Sequence, residues 1–298
     1  MAIRARILGA AAGGGLPQWN CGCGNCNAAR RGEIPAQTQS SVAVSVNGSD
    51  WAILNASPDI RAQMACTPEL HPVGLRESPL KAVLLTNGDI DHVAGLLTLR
   101  EQQPFDLFAT REIHDVLSGN PIFSALKADL VRRRTVALGQ GFDLLPGLRA
   151  TLFAVPGKVP LYLEGETVQT DLEGEQTVGV HLHAEGRDVF YIPGCAAMRP
   201  DLAARVRGAD LVMFDGTLWR DDEMIAEGLG TKTGQRMGHM SMSGPDGSIA
   251  AFAELGVARK VFVHMNNTNP VLRPGSEQRA EAEARGWTIG EDGMEIET

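Results

Sequence analysis

The sequence predicts an α/β sandwich in which two β-sheets face each other and helices cover the outside. Three observations point there: a hairpin signal in the first half, strand-then-helix units along the whole chain, and polar residues clustered where three strands end. No internal repeat, low-complexity tract or linker divides the chain, so residues 1–298 are expected to form a single domain.

The elements follow in order. Ile3 to Leu8 reads as a strand, and the glycines between Gly9 and Gly15 end it, because glycine adopts backbone angles that other residues avoid. A phosphate loop is excluded there, since no Gly-Lys-Ser/Thr follows. Ser41 to Val46 alternates apolar and polar residues, Asn47-Gly48 signals a tight turn, and Trp51 to Leu54 returns as the partner strand. Ala82 to Leu85 is a short apolar strand running into Thr86-Asn87-Gly88-Asp89-Ile90-Asp91-His92, after which Val93 to Glu101 spaces its leucines as a short helix does. The middle holds expected helices at Arg111 to Leu117 and Ser124 to Arg132, and expected strands at Thr135 to Leu138, Ala150 to Ala154, Val178 to His183 and Val189 to Ile192. Pro156 to Gln176, rich in Pro, Gly and acidic residues, reads as a long surface loop of the kind that carries binding function. Leu211 to Phe214 is a strand leading into Asp215-Gly216-Thr217, Ser248 to Leu255 a helix, Lys260 to Val263 a strand ending at His264, and Glu277 to Arg285 the last helix.

Composition narrows the function classes. The 298 residues carry 27 Lys+Arg against 36 Asp+Glu, a net charge of −9, which lacks the basic footprint that nucleic acid requires. The Arg132-Arg133-Arg134 run accordingly reads as a solvated helix end. No stretch approaches the roughly 18 consecutive apolar residues of a membrane span. The Ala- and Gly-rich N-terminus is too weakly apolar for a signal peptide, so a cytoplasmic location is the default expectation. Three of the five cysteines, Cys21, Cys23 and Cys26, lie within six residues, while Cys66 and Cys195 stand apart. An odd, clustered set reads as metal binding in a reducing compartment and not as a disulfide framework.

Two constellations carry chemistry. Asp91 and His92 sit at a strand-to-helix turn and His264 at a distant strand end, and two His with one carboxylate suit a mononuclear Fe(II) site with positions open for oxygen. The same residues also fit a helix cap at Asp91 with two hydrogen-bonded histidines. In Cys21-Gly22-Cys23-Gly24-Asn25-Cys26, a Gly-rich loop over about residues 19–27, three thiolates suit a tetrahedral Zn²⁺ and leave its fourth ligand open. His181 and His183 alternate on a strand and share a face, where a metal pair is uncommon.

The segment from Thr86 to His92 resembles the metallo-β-lactamase signature Thr-His-X-His-X-Asp-His, with Asn87 and Asp89 in place of the first two histidines. The resemblance implies a four-layer αββα sandwich in which the first metal site is lost and the second, at Asp91, His92 and His264, is kept. Val155-Pro156-Gly157-Lys158 stands where another first-site histidine is expected, and Cys195 where the bridging carboxylate is expected. Two-metal hydrolysis is then disfavoured, because it needs both ions. Some phosphodiesterases of the superfamily close a similar three-cysteine zinc site with a histidine three residues after the late active-site histidine; that position is Asn267 here. His239 matches a position that handles protons in superfamily hydrolases. Asp215 and Asp89 are expected near the metal, orienting ligand histidines.

The stretches Gly13-Gly14-Gly15-Leu16-Pro17-Gln18-Trp19-Asn20-Cys21, Asn55-Ala56-Ser57-Pro58-Asp59-Ile60-Arg61-Ala62-Gln63, Asp215-Gly216-Thr217-Leu218-Trp219, Gly238-His239 and Asn266-Asn267-Thr268-Asn269-Pro270 together resemble the coenzyme PQQ synthesis protein B family, almost from end to end. The resemblance implies a part in pyrroloquinoline quinone (PQQ) biosynthesis: iron- and oxygen-dependent hydroxylation of the tyrosine ring in a small cross-linked Glu-Tyr precursor, with dioxygen as partner and a structural Zn²⁺. Arg61, Arg236 and Lys232 are then expected to pair with the carboxylates of this diacidic substrate. A carrier of PQQ or its precursor to the periplasm and a metal-dependent hydrolase are the alternatives, and a homodimer is an open expectation.

Overall fold

Two mixed seven-stranded sheets form the centre of the molecule, described for residues 2–298 in the computed structural model. The first contains β1 (Arg4–Gly9), β2 (Ser41–Ser45), β3 (Trp51–Leu54), β4 (Leu80–Leu84), β5 (Phe105–Ala109) and β6 (Val131–Thr135). The second contains β7 (Gly141–Leu145), β8 (Leu148–Ala154), β9 (Val178–Ala184), β10 (Arg187–Ile192), β11 (Leu211–Asp215), β12 (Arg259–Val263) and β13 (Trp287–Ile289). The final strand, β14 (Glu295–Glu297), returns to the first sheet and pairs antiparallel with β1, Arg4 opposite Glu297. The orders are β14-β1-β2-β3-β4-β5-β6 and β13-β12-β11-β10-β9-β8-β7. Helices flank the sheets, as the predicted α/β sandwich requires.

Burial explains the strands. Every residue of β2, β3 and β11 is buried, as expected for central strands covered on both faces. Tyr191 on β10 crosses between the sheets: its hydroxyl lies 3.1 Å from Ser40 Oγ and accepts from Asn55 Nδ2 at 3.4 Å. The helix Arg111–Gly119 buries Ile113, His114 and Leu117 on one side, and the Thr110 hydroxyl caps it by accepting from the Ile113 N–H. In each sheet a run of parallel pairings, β3 to β6 and β10 to β13, sets neighbouring carboxyl ends side by side. Residues just beyond β4, β10, β11 and β12 line one cavity there, the usual ligand position in such sheets.

The structure corrects several local expectations. Ser124 to Arg132 is not a helix: a 3₁₀ turn at Pro121–Ala125 is followed by strand β6, and pairing with β5 ends at Thr135, so the strand expected at Thr135 to Leu138 lies earlier. The Arg132-Arg133-Arg134 run is therefore an edge strand and not a helix end, and Asp106 on β5 pairs with Arg132 at 2.7 Å and with Arg134 at 3.5 Å. Charge along an exposed edge discourages further strand pairing. Between β2 and β3 the connection is five residues long, with the Asn47 Oδ1 accepting from the N–H groups of Ser49 (3.0 Å) and Asp50 (2.8 Å). Strands β7, β13 and β14 were not legible, because short segments carry too few residues to show a period. Among the described residues, no helix is long and apolar enough to cross a membrane.

One buried carboxyl predicts how stability depends on pH. Glu223 is pushed up to about 7 by burial, although it accepts from Thr268 Oγ1 and from the Trp219 N–H at 2.7 Å. The folded state then holds this proton more tightly than the unfolded chain, so this group's contribution to stability falls as pH rises from about 4.5 through 7. Glu223→Gln should remove that slope and be more stable than the parent at pH 8 by roughly 1–3 kcal/mol, the scale of lifting a carboxyl from about 4.5 to about 7 in a partly screened site. Urea unfolding at pH 5 and pH 8 checks it; equal slopes in both proteins would refute it.

Candidate metal and active site

The turn after β4 builds half of the site. Asn55 anchors it: its Oδ1 accepts from the Thr86 N–H at 2.9 Å and its Nδ2 donates to Thr86 Oγ1 at 2.8 Å. Asn87 then turns its Oδ1 toward the backbone N–H of Asp89 (3.0 Å) and toward His92 Nδ1 (2.7 Å). The backbone N–H can only donate, so the Asn87 atom is the acceptor and His92 must carry its proton on Nδ1. That leaves a bare lone pair on His92 Nε2, which is buried and has no hydrogen-bond partner. An unpaired buried nitrogen is costly in a core and is what a metal ligand needs to be.

The ends of β11 and β12 build the other half. Asp215 is fully buried and each of its oxygens meets two donors: Oδ1 the Thr217 N–H (3.0 Å) and hydroxyl (2.6 Å), Oδ2 the Cys195 N–H (2.9 Å) and His239 Nδ1 (2.7 Å). Its acceptor capacity is filled, which suits positioning and not ligation. With its proton given to Asp215, the Thr217 hydroxyl accepts from His264 Nδ1 at 2.9 Å, and His264 Nε2 donates to Asp91 Oδ2 at 3.1 Å; burial would lower the ring's pKa, but Asp91 more than offsets it and raises it. His264 has φ 58°, a left-handed conformation rare outside glycine. Hydrogen bonds from Met265 N–H to Ala10 O and from Asn266 N–H to Thr217 O hold it there. Strain of this kind marks functional positions.

Asp91, His92 and His264 thus offer three ligand atoms within 4.8 Å of one another. The helix-cap alternative finds no support at Asp91, because the residue before the helix Ile90–Val93 is Asp89 and its side chain makes no capping bond. Burial lowers the His92 ring to about 4, which keeps it neutral. Burial would raise the Asp91 carboxyl, but His92 and His264 more than offset it and hold it well below the usual carboxylate range. A neutral imidazole with a free lone pair beside an ionised carboxylate fits a divalent cation. Asp89 lines the same cavity outside the compact group, its carboxyl raised to about 6 by burial and by the charge of Asp91.

The cavity measures ≈ 300 Å³ and takes Lys232, Arg236 and His239 into its lining. Lys158, passed over in the sequence as merely a missing histidine, lines it too. Arg61 does not reach it. Ile60 is fully buried at the start of the helix Ile60–Ala65, and the next residue, about 100° round the axis, turns to solvent. Cys195 is buried, its Sγ donating to Ala197 O at 3.2 Å, and burial followed by the Asp215 charge pushes its thiol far up; it stays protonated. Asn87 and Thr217 are the orienting residues that sequence reasoning missed, since each looks like ordinary turn chemistry until its histidine arrives.

The cysteine loop converges on Asn267. Cys23 caps the helix Gly24–Arg30, its sulfur accepting from the Cys26 N–H at 3.4 Å. The side-chain amide of Asn267 stands 3.2, 3.5 and 3.3 Å from the sulfurs of Cys21, Cys23 and Cys26. These contacts are made by Nδ2, which donates to the sulfurs; with the amide turned over, Oδ1 takes that place, near the roughly 3.6 Å edges of a Zn–S₃O tetrahedron built from ordinary bond lengths. Burial, followed by Cys23, pushes the Cys26 thiol up to about 11, a cost of crowding thiols that a bound Zn²⁺ would remove. Elsewhere, His181 and His183 do share a face, both rings meeting Asp188 Oδ1 at 2.7 and 2.8 Å on the β9–β10 hairpin.

Known proteins resemble this chain closely. A profile described as "Beta-lactamase superfamily domain" matches residues 50–265. "Coenzyme PQQ synthesis protein B" of Ruegeria pomeroyi is 62% identical over 290 residues, covering 97% of this chain and 98% of the relative. The protein of the same name from Methylorubrum extorquens strain AM1 is 55% identical over 294 residues, 98% of each. The crystal structure of Zn²⁺-bound PqqB from Methylobacterium extorquens superposes with a TM-score of 0.97 at 55% identity, over 98% of this chain and 99% of that one. A diphosphatase of the PhnP family, 18% identical with a TM-score of 0.72 over 100% and 98% of the two chains, shares the fold.

Proposed function

The chain belongs to the coenzyme PQQ synthesis protein B family, with the metallo-β-lactamase fold, and from that premise we propose that it acts in PQQ biosynthesis as a mononuclear Fe(II)- and oxygen-dependent hydroxylase. The substrate on this reading is the small cross-linked Glu-Tyr precursor, hydroxylated on its tyrosine-derived ring, with dioxygen as cosubstrate and an external two-electron donor to balance the reaction. One observation carries it: the bare Nε2 of His92 meets His264 and Asp91, while Asp215 is saturated by protein donors and Asn87 is turned away to orient His92.

Fe(II) held by Asp91, His92 and His264 would supply oxygen activation beside positions open to substrate. Asn87 holds His92 in the tautomer that bares Nε2, and Thr217 takes the His264 Nδ1 proton and aims Nε2 at Asp91, where a bound metal would replace the shared proton. His239, held at Nδ1 by Asp215, keeps Nε2 to take or give a proton, and Asp89, at about 6, is the second proton-handling group near neutral pH. Lys158, Lys232 and Arg236 supply positive charge for substrate carboxylates. Cys21, Cys23 and Cys26, with Asn267 through its side-chain oxygen, would hold the structural Zn²⁺.

Anaerobic loading with Fe(II), then addition of oxygen, reductant and the cross-linked amino acid, should give a product one oxygen heavier. Zn²⁺-dependent cleavage of phosphodiesters would favour a hydrolase, and tight PQQ binding without turnover a carrier. Asn87→Ala should weaken binding at the active-site metal by roughly 10–100-fold, the usual effect of losing a partner that orients a ligand histidine. Competition with a chelator measures this, and unchanged affinity would refute the role given to Asn87.

A further inference from the structure

We propose that Lys158 and Arg236 form a carboxylate-binding subsite at the mouth of the cavity and that Glu164, from the chain's own loop, fills it as a displaceable plug. The argument rests on the carboxylate-bearing substrate proposed above. Arg236 grips Glu164 with two nitrogens, at 2.9 Å to Oε2 and 3.4 Å to Oε1, and Lys158 Nζ adds a contact to Oε1 at 2.9 Å. A forked guanidinium plus an ammonium on one carboxylate is a complete anion site. The Glu164 side chain is only 8% exposed, and Arg236 foremost, then Lys158, lowers its carboxyl to about 2. Both cations line the cavity that Asp91, His92 and His264 share, and the stem of Lys158 lies against Gly238, next to His239.

The loop that brings Glu164 is built to let go. Its base is closed by paired backbone bonds between Gly157 and Leu172, at 2.9 and 2.8 Å. Its tip, the 3₁₀ turn Leu161–Leu163, leaves all three large apolar side chains between 44% and 58% exposed, so burial contributes little to holding it down. Besides the Glu164 ion pairs, the tip is tied by Tyr162, whose hydroxyl donates to Gly88 O on the metal-bearing turn at 2.5 Å. Where two cations already bind a carboxylate, a ligand carboxylate arriving from the cavity replaces like with like. Lys232, which lines the cavity with no carboxylate partner among the ion pairs of the described residues, is left for a second acid group.

A plug closed nine-tenths of the time lowers apparent affinity about tenfold. In the Zn²⁺-loaded protein, Glu164→Gln should therefore bind PQQ, a tricarboxylate used here as the probe, about tenfold more tightly than the parent, by titration calorimetry. Lys158→Met should weaken binding at least tenfold whether or not Glu164→Gln is also present. Amide exchange at residues 161–164 should speed up when PQQ binds the parent protein. Unchanged or weaker binding by Glu164→Gln, or slower exchange on PQQ binding, would make Glu164 a fixed structural tie and overturn the proposal. These readouts involve no turnover, so failure of the hydroxylation assay with the affinity shift intact would sink only the reaction assigned above.

Discussion

His92→Ala and His264→Ala should each abolish hydroxylation, by more than the roughly 10–100-fold assigned to an orienting residue, because each would remove a ligand of the proposed metal site. Metal analysis should show the active-site ion lost and the cysteine-bound zinc retained. In metal-free protein His92→Ala should cost little stability. Its Nε2 is already unpaired, and Asn87 Oδ1 keeps the Asp89 N–H as donor when the ring is gone. This separates ligation from packing: a variant that unfolds would point to a core histidine, whereas one that folds normally and fails to hold metal supports the site. Turnover equal to the parent's in either variant would remove Asp91, His92 and His264 from the mechanism.

Cys26→Ser should lose one zinc equivalent and melt at least 10 °C lower. Zinc bound by a few residues contributes about 10–16 kcal/mol in isolated fingers, and even a few kcal/mol of that shifts a chain of this size by such an amount. The reason for a global effect is topological. The zinc residues join a loop near residue 26 to a segment near residue 267, and Asn25 Nδ2 donating to Asn269 O at 2.9 Å and Arg273 donating to Asn25 Oδ1 at 2.7 Å are the main further ties there. His264 lies three residues before Asn267, so the same loss should also weaken the active-site metal. Asn267→Ala should lower zinc affinity less than Cys26→Ser, and Asn267→Asp should preserve it. If Asn267→Ala bound zinc as tightly as the parent, Asn267 would not be the fourth ligand.

How much was legible depends on whether local chemistry or distant contact decides a residue's place. The strands around Trp51, Val83, Phe214 and Val263 were readable, since each is an apolar run ended by polar residues. The arginine strand β6 was not: three charged side chains in a row read as solvated helix, and only the partner strand with Asp106 makes them a strand. Arg61 was assigned to substrate by residue type alone, and the burial of Ile60 turned it outward.

The sequence by itself determined which metal-ligating residue types the protein brings within reach of one another. Three thiols within six residues, an Asp-His pair at a turn and a histidine at a strand end are patterns of residue type and short spacing, and short spacing is set by covalent geometry. Only the tertiary structure decided which atoms of those residues converge. The tautomer of His92 is set by Asn87, His264 is oriented by Thr217 and Asp91, its left-handed backbone is held by Ala10 and Thr217, and Glu164 meets Lys158 and Arg236 from the loop between β8 and β9. Each of these is a hydrogen bond or ion pair whose partner's position is fixed by packing, and packing is a property of the whole chain.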